Sequence, residues 1–229
     1  MERWNVIAKI ETDFPTKFGI PRQSGLVEGL RGRIVFEPEY RNPDAVRGLE
    51  DFSHIWLLWG FSEAKRESWS PTVRPPRLGG NTRMGVFATR SPFRPNPIAL
   101  SSVKMESIQM EENLGPVIYV SGIDMMNQTP IYDIKPYLPQ VDCHPEATAG
   151  FSGGVQGYHL EVVLPEIWKN QIPKEYQESL LQVLSQDPRP SYQNDPQRIY
   201  GMSFGGMEVN FTVMQGVLTV CGVTKEECD

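Results

Sequence analysis

Short runs in which apolar and polar residues alternate dominate the first 140 positions, the period-two signature of half-buried strands. Residues 6–10 read as an opening strand and 32–36 as a second, closed by Glu37-Pro38. Residues 41–52 suit at most a helical turn. Residues 53–61 form an aromatic-rich apolar run, which predicts a strand buried on both faces. A Pro/Arg/Gly loop follows over 71–81, then strands over 84–88, 98–108 and 117–125, the last two joined by a Glu-Glu-Asn-Leu-Gly-Pro turn. Residues 131–138 are extended and interrupted by proline. Beyond about 150 the pattern changes. A Gly/Ser-rich connection over 151–157 leads to a short strand over 159–164. Tyr176, Leu180, Leu181 and Leu184 then recur at helical spacing, which predicts a helix over 173–186 with Pro173 in its first position. Val209, Phe211 and Val213 alternate with polar residues before Gln215-Gly216, which predicts a closing hairpin with 217–220.

Strands in series with few helices between them favour an antiparallel or mixed barrel or sandwich over a doubly wound parallel sheet. The fold class expected is therefore mainly β (α+β), with a β-rich domain over 1–150 and a small α+β domain over 151–229. The chain has 229 residues, and 20 glycines with 20 prolines supply the many turns such a fold needs. No repeat of solenoid length occurs. The apolar run at 55–61 is far short of the ~20 residues of a membrane helix, and the first residues show no basic start before an apolar core, so no signal peptide is expected. Cys143, Cys221 and Cys228 form neither a disulfide framework nor zinc-ligand spacing, and a reducing cytoplasm is the natural setting.

The net charge of −6 argues against indiscriminate nucleic-acid binding, but its distribution changes that picture. Residues 65–104 hold eight cations (Lys65, Arg66, Arg74, Arg77, Arg83, Arg90, Arg94, Lys104) against one anion, Glu67. A basic patch on an acidic protein attracts phosphates locally; the same arginines also suit a solvated face paired with carboxylates elsewhere. Trp69 suits base stacking as well as a core position. Phosphate-loop, Rossmann, zinc-protease and serine-hydrolase signatures are all missing. His54, His144 and His159 are too scattered to suggest a metal site, and His54 suits a hydrogen-bonded structural role.

Two segments concentrate the remaining chemistry. Thr89-Arg90-Ser91-Pro92-Phe93-Arg94-Pro95-Asn96-Pro97 places two guanidinium forks and an amide on a chain stiffened by three prolines. Asn127-Gln128-Thr129-Pro130-Ile131-Tyr132-Asp133-Ile134-Lys135-Pro136-Tyr137-Leu138-Pro139 reads as extended, so Asp133, Lys135 and Tyr137 share one face and Ile134 and Leu138 turn to the other. Either segment also suits a stiff surface turn or a polar edge strand.

Several stretches resemble one family: Ile20-Pro21-Arg22-Gln23, Ala45-Val46-Arg47-Gly48-Leu49-Glu50, Phe52-Ser53-His54-Ile55-Trp56, Arg74-Pro75-Pro76-Arg77-Leu78-Gly79-Gly80-Asn81, Gly85-Val86-Phe87-Ala88-Thr89-Arg90-Ser91, Phe93-Arg94-Pro95-Asn96-Pro97-Ile98 and Asp133-Ile134-Lys135-Pro136-Tyr137-Leu138-Pro139. They are similar to the TsaA/TrmO family, tRNA methyltransferases that act on N6-threonylcarbamoyladenosine at position 37, beside the anticodon of threonine-type tRNA. The likeness covers about residues 5–140, and more loosely the tail, through Gln186-Asp187-Pro188-Arg189-Pro190-Ser191-Tyr192. It implies a single-sheet β-barrel distinct from Rossmann methyltransferases, a homodimer, a small C-terminal domain that helps hold tRNA, and S-adenosylmethionine as donor. The implied donor contacts are Pro21, Arg22, Gln23, Phe61, Ser62, Arg90, Leu100, Asn127, Gln128, Thr129 and Pro130. Two departures stand out: many members carry Asp-Gly at Asn127-Gln128 and His at Ser62.

The acceptor nitrogen in such a substrate is delocalised into a carbamoyl group and must lose its proton to attack, so a positioned base is expected to contribute roughly 10²–10⁴-fold. Asp133 is the first candidate base and Tyr137 the second, with Lys135 or Arg94 stabilising charge on the carbamoyl oxygen. Arg74, Arg77, Arg83, Arg94 and Asn96 are expected to meet tRNA phosphate or the threonyl carboxylate. No metal is expected. A binding module without turnover and a modified-nucleoside hydrolase are the rival classes.

Overall fold

A computed structural model describes residues 4–61, 68–75, 82–155, 157–189 and 195–225. Six antiparallel strands close into a barrel: β1 (Ala8–Thr12), β2 (Arg31–Phe36), β3 (His54–Gly60), β6 (Ile98–Glu111), β7 (Gly115–Ser121) and β8 (Thr129–Pro136), in the spatial order β1-β2-β7-β6-β3-β8. Closure leaves no sheet edge unpaired. Ile10, Ile34, Ile55, Leu57, Ile118 and Ile131 fill the interior and are fully buried. β4 (Thr72–Val73) and β5 (Met84–Gly85) form a two-stranded ribbon in the long connection between β3 and β6.

A second sheet, ordered β10-β11-β12-β9, consists of β9 (Glu161–Val163), β10 (Tyr200–Phe204), β11 (Met207–Met214) and β12 (Val217–Lys225). α3 (Lys174–Ser185) buries Leu180, Val183 and Leu184 beside it. One hydrophobic cluster runs through the barrel and this second sheet. Phe14, in the loop after β1, packs on Phe204 with ring centroids 5.2 Å apart. The Gly205 N–H donates to the Asp13 carbonyl at 3.0 Å, and the Tyr176 hydroxyl to the Asp13 carboxylate at 3.2 Å. The β1–β2 loop is thus buttressed from behind by the C-terminal sheet.

Several local expectations need correction. Residues 53–61 are not buried on both faces. Ile55, Leu57 and Trp59 point inward, while Trp56 and Leu58 lie half-buried on the outside, because this strand belongs to a barrel wall rather than to a sheet covered on both sides. Residues 84–88 are strand only to Gly85; Val86–Ala88 turn as a 3-10 helix. The strand expected to reach 125 stops at Ser121, and Pro173 caps α3 instead of opening it. Residues 41–52 hold two 3-10 turns, Pro43–Val46 and Leu49–Asp51. β10 and the short helices α1 (Pro139–Asp142) and α2 (Glu166–Lys169) had no clear sequence pattern.

Candidate active site

Three connections meet at one mouth of the barrel: 13–30 between β1 and β2, the described residues of 61–97 between β3 and β6, and 122–128 between β7 and β8. The register sets this arrangement. Ile10 pairs with Thr129, and Gly60 with Ile98, so the end of β1, the end of β3 and the starts of β6 and β8 share one rim.

Most of the expected donor contacts lie on that rim. Arg90 Nη1 donates to Gln23 Oε1, joining the first loop to the arginine loop. The Phe61 N–H donates to the Pro97 carbonyl at 3.0 Å, and its ring lies 4.6 Å from Trp59. Thr129 is 2% exposed, inside the mouth. Asn127 and Gln128 donate their backbone N–H groups to the carbonyls of Phe14 and Ile10, both at 2.8 Å, while Asn127 Oδ1 accepts from the Thr12 N–H at 3.2 Å. An aspartate at this position would offer the same acceptor oxygen. Gln128 stands at φ 63°, in the left-handed region that glycine adopts freely. Pro21 is buried and Arg22 exposed on the first loop. Ser62 and Arg77 lie outside the described residues.

The arginine loop is stapled by its own hydroxyls. Thr89 Oγ1 donates to the Val86 carbonyl at 2.9 Å and accepts from the Ser91 N–H, and Ser91 Oγ accepts from the Phe93 N–H at 3.2 Å. Arg94 Nη1 donates to the Thr89 carbonyl at 3.1 Å, so Arg94 braces the loop as well as offering charge. Asn96 is exposed beside it. Arg74 and Arg83 flank the paired Val73 and Met84 of the β4–β5 ribbon, both exposed. Next to them Trp69 and Phe87 are 52% and 73% exposed, with ring centroids 6.2 Å apart. Trp69 is thus a surface aromatic and not part of the core.

Asp133 and Lys135 lie farther along β8 and face outward, with Tyr137 just beyond the end of the strand. Leu58 pairs with Leu100 on one side and with Asp133 on the other, so Leu100, Leu58 and Asp133 form one outward row. With strands roughly 4.8 Å apart, Asp133 sits about 10 Å from Leu100. A register shift between Leu58 and Trp59 produces this placement, with Tyr132 as the extra residue on β8. The Tyr132 ring crosses Gly60, where a Cβ would collide with the Tyr132 hydroxyl. Lys135 Nζ pairs with Asp133 Oδ2 at 2.8 Å, and the Ile134 N–H donates to Asp133 Oδ1 at 2.9 Å. Tyr137 packs against Trp56 (5.5 Å) and His54 (6.2 Å). Its segment is locked by Asp142, whose Oδ2 accepts from Trp56 Nε1 and from the Leu138 N–H. The Leu138 and Trp56 hydrogen bonds hold the Asp142 carboxyl below the usual carboxylate range.

One residue at the mouth had no signal in the sequence. Asp124, half-buried in the β7–β8 connection, accepts from Ser101 Oγ at 2.7 Å, and Ser101 Oγ in turn accepts from Trp59 Nε1 at 2.9 Å. Burial pushes its carboxyl up to about 6. The Ser101 hydroxyl, the backbone N–H groups of Ser24 and of Asp124 itself, and the nearby Arg90 charge act in the opposite direction without cancelling it. No group of three or more His, Cys, Asp or Glu side chains suited to a metal occurs among the described residues.

At the other mouth lies a pocket of ≈ 510 Å³ lined by Ile7, Phe36, Tyr40, Val46, Leu49 and Phe52 among others, with Asp133 on its wall.

Comparison with known proteins gives two family matches. The tRNA-methyltransferase O N-terminal domain matches residues 9–143, and the TrmO C-terminal domain matches 161–226. A tRNA (adenine(37)-N6)-methyltransferase from Escherichia coli K12 is 42% identical over 192 residues, covering 81% of each chain. A protein of the same name from Eikenella corrodens is 45% identical over 177 residues, 77% of this chain and 99% of that one. The crystal structure of TrmO from Pseudomonas aeruginosa aligns with a TM-score of 0.77 at 31% identity, over 98% of this chain and 99% of that one.

Proposed function

The chain belongs to the tRNA-methyltransferase O family, and from that membership we propose that it methylates N6 of N6-threonylcarbamoyladenosine at position 37 of threonine-type tRNA. S-adenosylmethionine, when bound, supplies the methyl group. The observation that carries this reading is the convergence of Gln23, Phe61, Arg90 and Asn127–Pro130 at one barrel mouth, from connections far apart in the sequence. The chemistry of this set fits such a donor. Arg90 and Gln23 offer a cation and an amide for a carboxylate and an amine, and Phe61 with Leu100 offers apolar contact for a base and ribose.

Asp133 takes the acceptor proton in this reading, from a carboxylate already oriented by Lys135 and the Ile134 N–H. Lys135 then remains to stabilise negative charge on the carbamoyl oxygen, a role Arg94 shares, and Tyr137 is the alternative base. Arg74, Arg77, Arg83 and Asn96 hold phosphate or the threonyl carboxylate. The exposed Trp69–Phe87 pair beside them suits stacking on unpaired anticodon-loop bases. The outward face that carries Leu100, Leu58 and Trp56 supports a homodimer, in which Asp133 of one subunit works beside a donor mouth. Residues 151–229 form the part that assists tRNA binding, and they also buttress the donor loop through Phe204 and Tyr176. Exposed free thiols at Cys143 and Cys221 accord with a reducing cytoplasm.

The test is direct. The protein is incubated with methyl-labelled S-adenosylmethionine and threonine tRNA that carries the threonylcarbamoyl group, and the RNA is digested to nucleosides. Label on N6-threonylcarbamoyladenosine is expected. Label on no nucleoside, or on a different one, would overturn the reading.

A further inference from the structure

Asp124 is a carboxyl group that the reaction as described leaves without a role, and its surroundings are unusually organised. It sits where all three connections of the donor mouth meet. Ser101 reaches it from β6 through its hydroxyl at 2.7 Å, and the first loop is tied to the same connection by the Gly25 N–H, which donates to the Gly122 carbonyl at 2.9 Å. The Ser24 N–H and, most weakly, the Arg90 charge also favour its ionised form. Ser101 is itself held by the buried indole of Trp59 on β3. Arg90 is bound on its other side by Gln23 of the first loop. Removing the Asp124 charge would therefore loosen Arg90 and the first loop together.

We propose that Asp124 is a positioning residue for the methyl donor: its carboxylate fixes Arg90 and the first loop in the arrangement that receives S-adenosylmethionine. This rests on the donor reading above. A buried carboxyl left only to stabilise the fold would be better placed as a neutral group, since burial opposes its ionised form. The sign of the linkage makes the point. A carboxyl whose pKa is raised by folding favours the fold below the ordinary carboxylate range, and that contribution is lost as pH rises through about 6. At neutral pH the ionised Asp124 costs stability, which is the pattern of a group kept for function.

Two consequences separate this role from a structural one. Donor affinity should have an acid limb, with Kd rising about tenfold in all as pH falls through about 6 and then levelling, because protonation discharges the carboxylate beside the first loop and Arg90. Gln23, Ser24, Ser101 and Trp59 carry no side chain that titrates in this range. Asp124→Asn should weaken donor binding about tenfold or more at pH 7.5, flatten the acid limb, raise KM for the donor far more than it lowers kcat, and leave thermal stability at pH 7.5 equal or higher.

The experiment is calorimetric titration of the full chain with S-adenosylmethionine from pH 5 to 8, with unfolding scans at each pH. A wild-type acid limb near 6 that Asp124→Asn abolishes, without loss of melting temperature at pH 7.5, is the expected result. A flat wild-type profile, or an Asp124→Asn protein that binds the donor like wild type, overturns the proposal. Should the variant fail to fold, the wild-type profile together with Ser101→Ala still decides it. Losing the Ser101 hydrogen bond should move the midpoint of the limb to higher pH, and an unmoved midpoint counts against Asp124. Absence of donor binding at every pH would instead remove the donor reading itself.

Discussion

The two mouths of the barrel are built from the same six strands, and their connections differ in kind. At one mouth the connections are long, braced by proline and by side-chain hydroxyls, and they gather Arg90 with Gln23 and Ser101 with the half-buried Asp124. At the other, 3-10 turns over 43–51 close around a pocket of ≈ 510 Å³ whose lining is mostly apolar. Convergent polar groups from distant segments mark the first mouth, because holding them together costs desolvation and chain entropy that a purely structural end of a barrel avoids. Asp133 belongs to both regions: it lines the apolar pocket and stands in the outward row with Leu100.

The sharpest way to break this contrast is at Asp133. Asp133→Asn should lower single-turnover methylation roughly 10²–10⁴-fold while tRNA binding stays normal; full single-turnover activity would return β8 to a structural role. Next comes the basic ribbon. Arg83→Ala should weaken tRNA binding and reduce the salt slope of log K by about 1, read from affinities at several ionic strengths. An unchanged slope would separate the ribbon from the RNA. A smaller effect is expected at the rim backbone. Gln128→Gly relieves a left-handed residue and should stabilise the fold by about 0.5–1 kcal/mol in denaturant titrations. The smallest belongs to the opposite mouth: Glu39→Gln, on an exposed side chain of the apolar pocket, should leave methylation and stability unchanged within about 0.5 kcal/mol. A large loss of activity there would erase the distinction between the mouths.

Much of the molecule was legible before any coordinates. The alternation over β1, β2 and β6, the Leu180/Leu184 stripe of α3 and the turn at Gln215-Gly216 follow from local rules of periodicity and turn chemistry. The rigid arginine loop follows from its prolines, and the shared face of Asp133 and Lys135 from the geometry of an extended chain. Asp124 was invisible because nothing local distinguishes an aspartate between Ile123 and Met125. Its character depends on Ser101 and Trp59, which lie 23 and 65 positions away and reach it only through barrel closure. The outward row of Leu100, Leu58 and Asp133 was hidden for a similar reason, since the register shift opposite Tyr132 is a property of two strands together.

By itself, then, the amino-acid order determined which segments are strands, helix and stiff loops, and which side chains carry chemistry, because those depend on neighbours within a few residues. Tertiary structure alone decided which mouth of the barrel gathers that chemistry, which carboxyl is buried there, and how the C-terminal sheet backs the first loop. Register, closure and burial are set by residues far apart in the chain, and they determine the charge state of Asp124 and the row that joins Leu100 to Asp133.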